Sequence, residues 1–186
     1  MSARSVVILA ALGAAALSSA LSDAQQASPT PAPAASTVAN PLDNVPDKMP
    51  FDVPYGAPIA LEQAQAAIAA AVAEAKKHDW KLNVAVVDSG GNLVAFQRMD
   101  GAQLASIQIA EHKARASVTF RRETKAFENA IQQNNSHYVT TLDGVIASRG
   151  GIPLVQAGKL AGGIGCSGGT GSQDEVACKV GAATIK

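Results

Sequence analysis

The sequence predicts an α/β (α+β) fold, a single domain in which an antiparallel sheet is flanked by helices. Three observations carry that reading. Two pairs of apolar runs are each joined by a short Gly-containing turn, which is how antiparallel neighbours connect. Helical periodicity surrounds both pairs. The stretch from Ile59 to Lys186 is the usual size of one domain around one core.

Taken in chain order, Leu61, Ala64, Ile68, Ala71, Val72 and Ala75 recur at helical spacing after Pro58, which ends the preceding coil. They predict an amphipathic, Ala-rich first helix. Leu82–Asp88 and Asn92–Gln97 are apolar runs separated by Ser89-Gly90-Gly91 and predict a hairpin. Leu104–Val118 returns to helical character, and Glu123–Gln133 predicts a further helix. Asn134–Thr141 is polar, and Val145–Ala147 predicts a short strand. Ile152–Gln156 and Leu160–Cys166 flank Ala157-Gly158-Lys159 as a second hairpin, and a helix over Gln173–Ala183 closes the domain. Ser172 and Glu175 have the spacing of a capping box at its start.

The N-terminus reads as an export signal over residues 1–24. Arg4 supplies the positive region, Val6–Leu17 is apolar but too short to span a bilayer, and Ser18-Ser19-Ala20 or Ser22-Asp23-Ala24 offers a cleavage site. A periplasmic or secreted protein with no membrane span in the mature chain is the expectation. Residues 25–58 hold all but one of the nine prolines and read as a linker. Phe51 and Tyr55 near its end would pin it to the domain or to a neighbouring subunit. Fifteen basic residues balance fifteen acidic ones with no basic stripe, which argues against a nucleic-acid partner. Cys166 and Cys178 bracket a Gly-rich stretch, either as a disulfide, which an exported chain permits, or as two small buried hydrophobes.

That stretch, GIGCSGGTGSQDE over Gly163–Glu175, satisfies two well-known patterns on paper. Gly163, Gly165 and Gly168 spell a dinucleotide fingerprint, but the chain ends before the βαβ unit and acidic residue it requires. Gly165, Ser167 and Gly169 spell a nucleophile elbow, but the last histidine, His137, precedes the serine rather than following it. What survives is a Gly-rich loop running into a helix start, whose N–H groups would face an anionic group.

The chain closely resembles the GlcG/HbpS-type heme-binding (heme-degrading domain) family. The resemblance rests on VAVVDSGGNLVAFQRMDGA at Val84–Ala102, ASIQIAEHKARAS at Ala105–Ser117, GGIPL at Gly150–Leu154 and GGIGCSGGTGSQDE at Gly162–Glu175, in register from about Leu61 to the C-terminus. It implies a profilin- or PAS-like sandwich that associates into homo-oligomers, with heme as cofactor. Its activities range from heme binding and degradation to proteins encoded with glycolate utilisation and domains fused to corrinoid adenosyltransferases.

His112 shares a helix face with Ala105, Ile109 and Ala116, where small neighbours leave room for a flat ligand. It is the candidate axial ligand to heme iron, against the plainer reading of a packed histidine bonded to a carbonyl. Lys113 and Arg115 are candidate partners for heme propionates. Cys166, with Ser167 and Gly168 in the Gly-rich loop, is a second candidate: a thiolate near helix N–H groups could ligate heme. His78 reads as a helix-end cation and His137, beside Tyr138, as exposed, while Asp88, Asp100, Asp174 and Glu175 read as turn, pairing or helix-start carboxylates. Two other functions compete with heme binding. One holds a small 2-hydroxy acid at Gly165–Ser172 with Arg149 or Lys113 as counter-charge; the other is a structural oligomer whose glycines only permit tight packing.

Overall fold

The computed structural model describes residues 43–49 and 51–186; the signal-like segment 1–24 lies outside them. A compact unit spans Pro46–Lys186. Helix α1 (Leu61–Lys77) buries the face its periodicity predicts, Ala64, Ala67, Ile68, Ala71, Val72 and Ala75. The first hairpin is β1 (Asn83–Asp88) and β2 (Leu93–Arg98), and its turn is held by Asp88 Oδ1, which accepts from the N–H of Gly90 at 2.8 Å and of Asn92 at 2.9 Å. Helix α2 (Ala105–Thr119) follows, then α3 (Lys125–Gln132) and a single 3-10 turn at His137–Thr141. The second hairpin is β3 (Gly151–Gln156) and β4 (Lys159–Ser167), and α4 (Gly171–Ala182) ends the fold.

The four strands form one antiparallel sheet in the order β2-β1-β4-β3. Helices α1 and α4 pack on one face and α2 on the other, so β1 and most of β4 are covered on both sides. Along β1 the alternation is plain: Val84 and Val86 join the core under α1 and α4, whereas Ala85 and Val87 join the core under α2.

The glycines of β4 explain how α2 comes so close. A side chain at Gly165 would collide with the carbonyl of Ala110, and one at Gly163 would sit 2.6 Å from the carbonyl of Ala114. The helix backbone therefore rests directly on the strand backbone. The Gly-rich run that reads as a ligand loop is, up to Ser167, a buried central strand.

Two further expectations are corrected. Val145–Ala147 forms no strand, because Thr124 already occupies the start of β3: its N–H donates to the Gly151 carbonyl at 3.0 Å, and its Oγ1 accepts from the Gly151 N–H at 2.9 Å and donates to the Ser148 carbonyl at 2.7 Å. The cap of α4 is Thr170 with Gln173, two residues earlier than Ser172 with Glu175. Thr170 Oγ1 accepts from the Gln173 N–H at 3.4 Å and Gln173 Oε1 from the Thr170 N–H at 2.8 Å.

Part of the stretch assigned to the linker is fastened to this unit. Gly56 and Ile59 donate to the carbonyls of Leu160 and Ala161, both at 2.9 Å, so the segment runs beside β4 beyond the end of β1. The Tyr55 hydroxyl lies 3.2 and 3.1 Å from the Val118 and Thr119 carbonyls at the end of α2, where helical carbonyls lack partners. The Arg122 guanidinium stacks 3.1 Å over the Phe51 ring.

Candidate functional site

Helix α2 presents two surfaces with opposite chemistry. Its inner surface is closed. Lys113 is 1% and Asp174 2% exposed; the Lys113 Nζ donates to Asp174 Oδ2 at 2.8 Å and to the Cys166 carbonyl at 3.2 Å. The other carboxylate oxygen accepts from the Gly169 N–H at 3.1 Å. Burial pushes the Asp174 carboxyl above its ordinary range, with Lys113 pulling against that rise. Cys166 and Cys178, both fully buried, form a disulfide with Cα atoms 5.7 Å apart that ties β4 to α4.

These contacts place four of the candidate ligand-binding residues inside the fold. Lys113 is enclosed and spent on Asp174, so it reaches no propionate. Cys166 has no thiolate to offer while it is oxidised. Ser167 is 4% exposed as the last residue of β4, opposite Asn83, and Gly168 lies hard against the backbone of Lys81 and Leu82. Two of the N–H groups expected to face an anion have partners inside the protein, since Gly169 donates to Asp174 and Thr170 to Gln173.

The outer surface of α2 is more open. His112 is half-buried, and its Nε2 lies 3.2 Å from the Gly144 carbonyl in the connection between the 3-10 turn and β3. A carbonyl only accepts, so Nε2 carries the proton and Nδ1 keeps the lone pair. A ring N–H fixed on a backbone carbonyl is how metal-ligating histidines are oriented. Ile109, one turn earlier, and Val145 and Ile146, which follow Gly144, are half-buried apolar side chains. The clefts along α1 and β2 and beside Gly56 lie elsewhere. Arg115 is exposed, with its Nε donating to the Gly91 carbonyl at 3.1 Å, which clamps the β1–β2 turn.

The base of that connection is anchored by ions that sequence reading missed. Arg149 donates from Nε and from its backbone N–H to the two oxygens of Glu128, each at 2.8 Å, and its Nη1 lies 3.4 Å from Glu175. Glu175 also takes Lys179 at 2.6 Å and Lys125 at 3.1 Å. Burial pushes the Glu128 and Glu175 carboxyls up, but the hydrogen bonds from Arg149 to the first, and from Lys179 and Lys125 to the second, outweigh it and hold both below the ordinary glutamate range. His78 and His137 stand apart: His78 caps α1 beside Glu74 and stacks on Trp80, and His137 is exposed against Asn135. Among the described residues no group of three His, Cys, Asp or Glu could hold a metal ion, and no helix is long and apolar enough to cross a membrane.

Comparison with known proteins adds a second line of argument. The model of the family described as "Haem degrading protein HbpS-like" matches residues 59–183. Protein GlcG of Escherichia coli is 37% identical over 94 residues, half of this chain and 69% of GlcG. The corrinoid adenosyltransferase PduO of Citrobacter freundii is 33% identical over 94 residues, but these are only 28% of that protein. Among solved structures, an HbpS double mutant of Streptomyces reticuli superposes with a TM-score of 0.65 at 29% identity, covering 77% of this chain and 97% of that one. A PduOC:heme complex superposes with a TM-score of 0.63 at 26% identity, covering 69% of this chain and 96% of that one.

Proposed function

Because this chain belongs to the family described as haem degrading protein HbpS-like, we propose that it is an exported, homo-oligomeric heme-binding protein whose axial ligand is His112 through Nδ1. The observation that carries the reading is the hydrogen bond between His112 and Gly144, which fixes the tautomer and leaves one ring nitrogen unengaged. Ile109, one turn before His112, and Val145 and Ile146, next to Gly144, are half-buried apolar residues, and the heme complex of a relative with the same fold supports heme as the ligand. Bound heme supplies a redox-active iron. Heme sensing and heme degradation both begin from that bound state, and they part on whether the Soret band persists or bleaches under a reductant. Export is supported by the signal-like residues 1–24 and by the disulfide, which an oxidising compartment sustains. The small-carboxylate alternative has less support, because two of the loop N–H groups and Lys113 are engaged inside the protein.

Hemin titration is the test. Wild-type protein is expected to give a shifted Soret band, and His112→Ala to weaken binding at least about tenfold, or 1.4 kcal/mol. Its far-UV circular dichroism should stay unchanged. Losing the Gly144 contact costs under about 1 kcal/mol, because that glycine is exposed and water can replace the donor. An unchanged Soret band with a lowered melting temperature would make His112 a packing residue instead.

A further inference from the structure

The outward face of α1 lacks the polar character a solvent-facing helix normally carries. Between Glu62 and Glu74 the helix has no charged residue, and its exposed positions include Ala66, Ala69 and Ala73. With Glu62 and Lys76 they fall at spacings of four and three residues, 62, 66, 69, 73 and 76, the pattern of a helix-pairing seam. Beside α1 in the same layer, α4 leaves Val176 and Val180 exposed at 45% and 38%. Among the described residues nothing covers either the uncharged face of α1 or this pair of β-branched residues on α4.

The ends of the seam say what fits. Glu62 and Lys76 are about 21 Å apart along the helix at 1.5 Å per residue, and among the described residues neither has an ion-pair partner, whereas the neighbouring Glu74 and Lys77 pair with each other. Antiparallel pairing with an identical helix, centred on Ala69, sets Glu62 against Lys76 of the second copy, Ala66 against Ala73, and Ala69 against itself. Both charges are then matched twice, and the contact closes on two-fold symmetry. Alanines along the seam let the two backbones approach closely.

We propose that the outer face of the α1/α4 layer is where two copies of this chain meet, α1 packing antiparallel on α1 about a two-fold axis at Ala69. The inference deepens the homo-oligomer part of the function proposed above. Light scattering of the purified protein is expected to give a mass of an even number of chains, and Ala69→Glu to lower it at least twofold without changing the circular dichroism. Ala69→Cys should yield a reducible dimer on a non-reducing gel, since both native cysteines are paired and buried, whereas Ala126→Cys, an exposed position on α3, should not. Glu62→Lys should weaken association, and adding Lys76→Glu should restore it. Within a single helix each reversal opposes the dipole, so recovery in the double variant reads the contact between copies. A wild-type mass of one chain overturns both this face and the oligomer; an oligomer indifferent to every change at Ala69 and Glu62 overturns this face alone.

Discussion

Two stretches of chain touch α2 from opposite sides, and they differ in almost every physical respect. β4 meets it backbone to backbone through Gly163 and Gly165, beside a buried ion pair and a disulfide. The connection from Leu142 to Ser148 meets it through one hydrogen bond to His112, with its own residues exposed or half-buried. The first stretch has the sequence that looks functional, dense in glycine with a cysteine and a serine. Its chemistry is consumed internally. The second is undistinguished as sequence, yet its Gly144 carbonyl holds His112 by one ring nitrogen. A glycine pattern reports that something must come close; here that something is the protein's own helix.

The largest test of this contrast is Lys113→Met. It leaves the Asp174 carboxylate buried without its cation, and breaking such a pair costs about 3–5 kcal/mol. Adding Asp174→Asn removes the stranded charge and keeps an acceptor for the Gly169 N–H, so most of the loss should return. Denaturant melts of the two variants measure it. Equal stability in both would mean that the pair is not the feature holding α4 to α2.

A matched pair of glycine substitutions sharpens the comparison. Gly165→Ala drives a methyl into the Ala110 carbonyl and lifts α2 from the sheet, for which overpacking costs of about 1–3 kcal/mol are a lower guide. At Gly144 the nearest atom to an added methyl is 3.9 Å away, on the Phe120 ring, and the only penalty is its φ of 78°, about 1 kcal/mol. Gly144→Ala should therefore leave the fold nearly intact while displacing the carbonyl that orients His112. Heme affinity, measured beside the melting curve, should move in Gly144→Ala more than stability does.

The architecture was largely legible in the sequence. The apolar run Val84–Val87 and the helical recurrence of Ala64 to Ala75 encode burial directly, Leu61 at the start of that recurrence being exposed, and short turns fix antiparallel neighbours. The site was only partly legible. His112 stood out by its residue type. Lys113 was read as a surface group, as a lysine normally is, whereas it is buried against Asp174; its small neighbours at helical spacing, Ala110, Ala114 and Ser117, were the available sign that this face is enclosed. Nothing local marks Asp174 as its partner, for the two meet only once α4 folds back over the end of β4. Gly144 was invisible for the same reason, and Arg149, read as a counter-charge for a small acid, gave no local sign of Glu128 as its partner; each matters through a residue more than twenty positions away.

The smallest expected effect belongs to the anchor of the loosely held connection. Glu128 and Glu175 have carboxyls held below their ordinary range, so the stability they contribute is complete above that range and is lost as pH falls through their lowered values. Asp174 runs the other way. Its raised carboxyl costs stability while charged and relieves that cost as acid protonates it, which flattens the acid limb of the whole protein. Arg149→Gln removes the main partner of Glu128 and leaves Asp174 untouched, so the difference between wild type and variant isolates the anchor. That difference should be small at neutral pH, as for a solvent-screened pair, and should shrink towards zero as pH drops below the ordinary glutamate range. Urea midpoints taken across that range give the difference directly. A gap that persists undiminished in acid would show that Arg149 holds the connection by packing, not by charge.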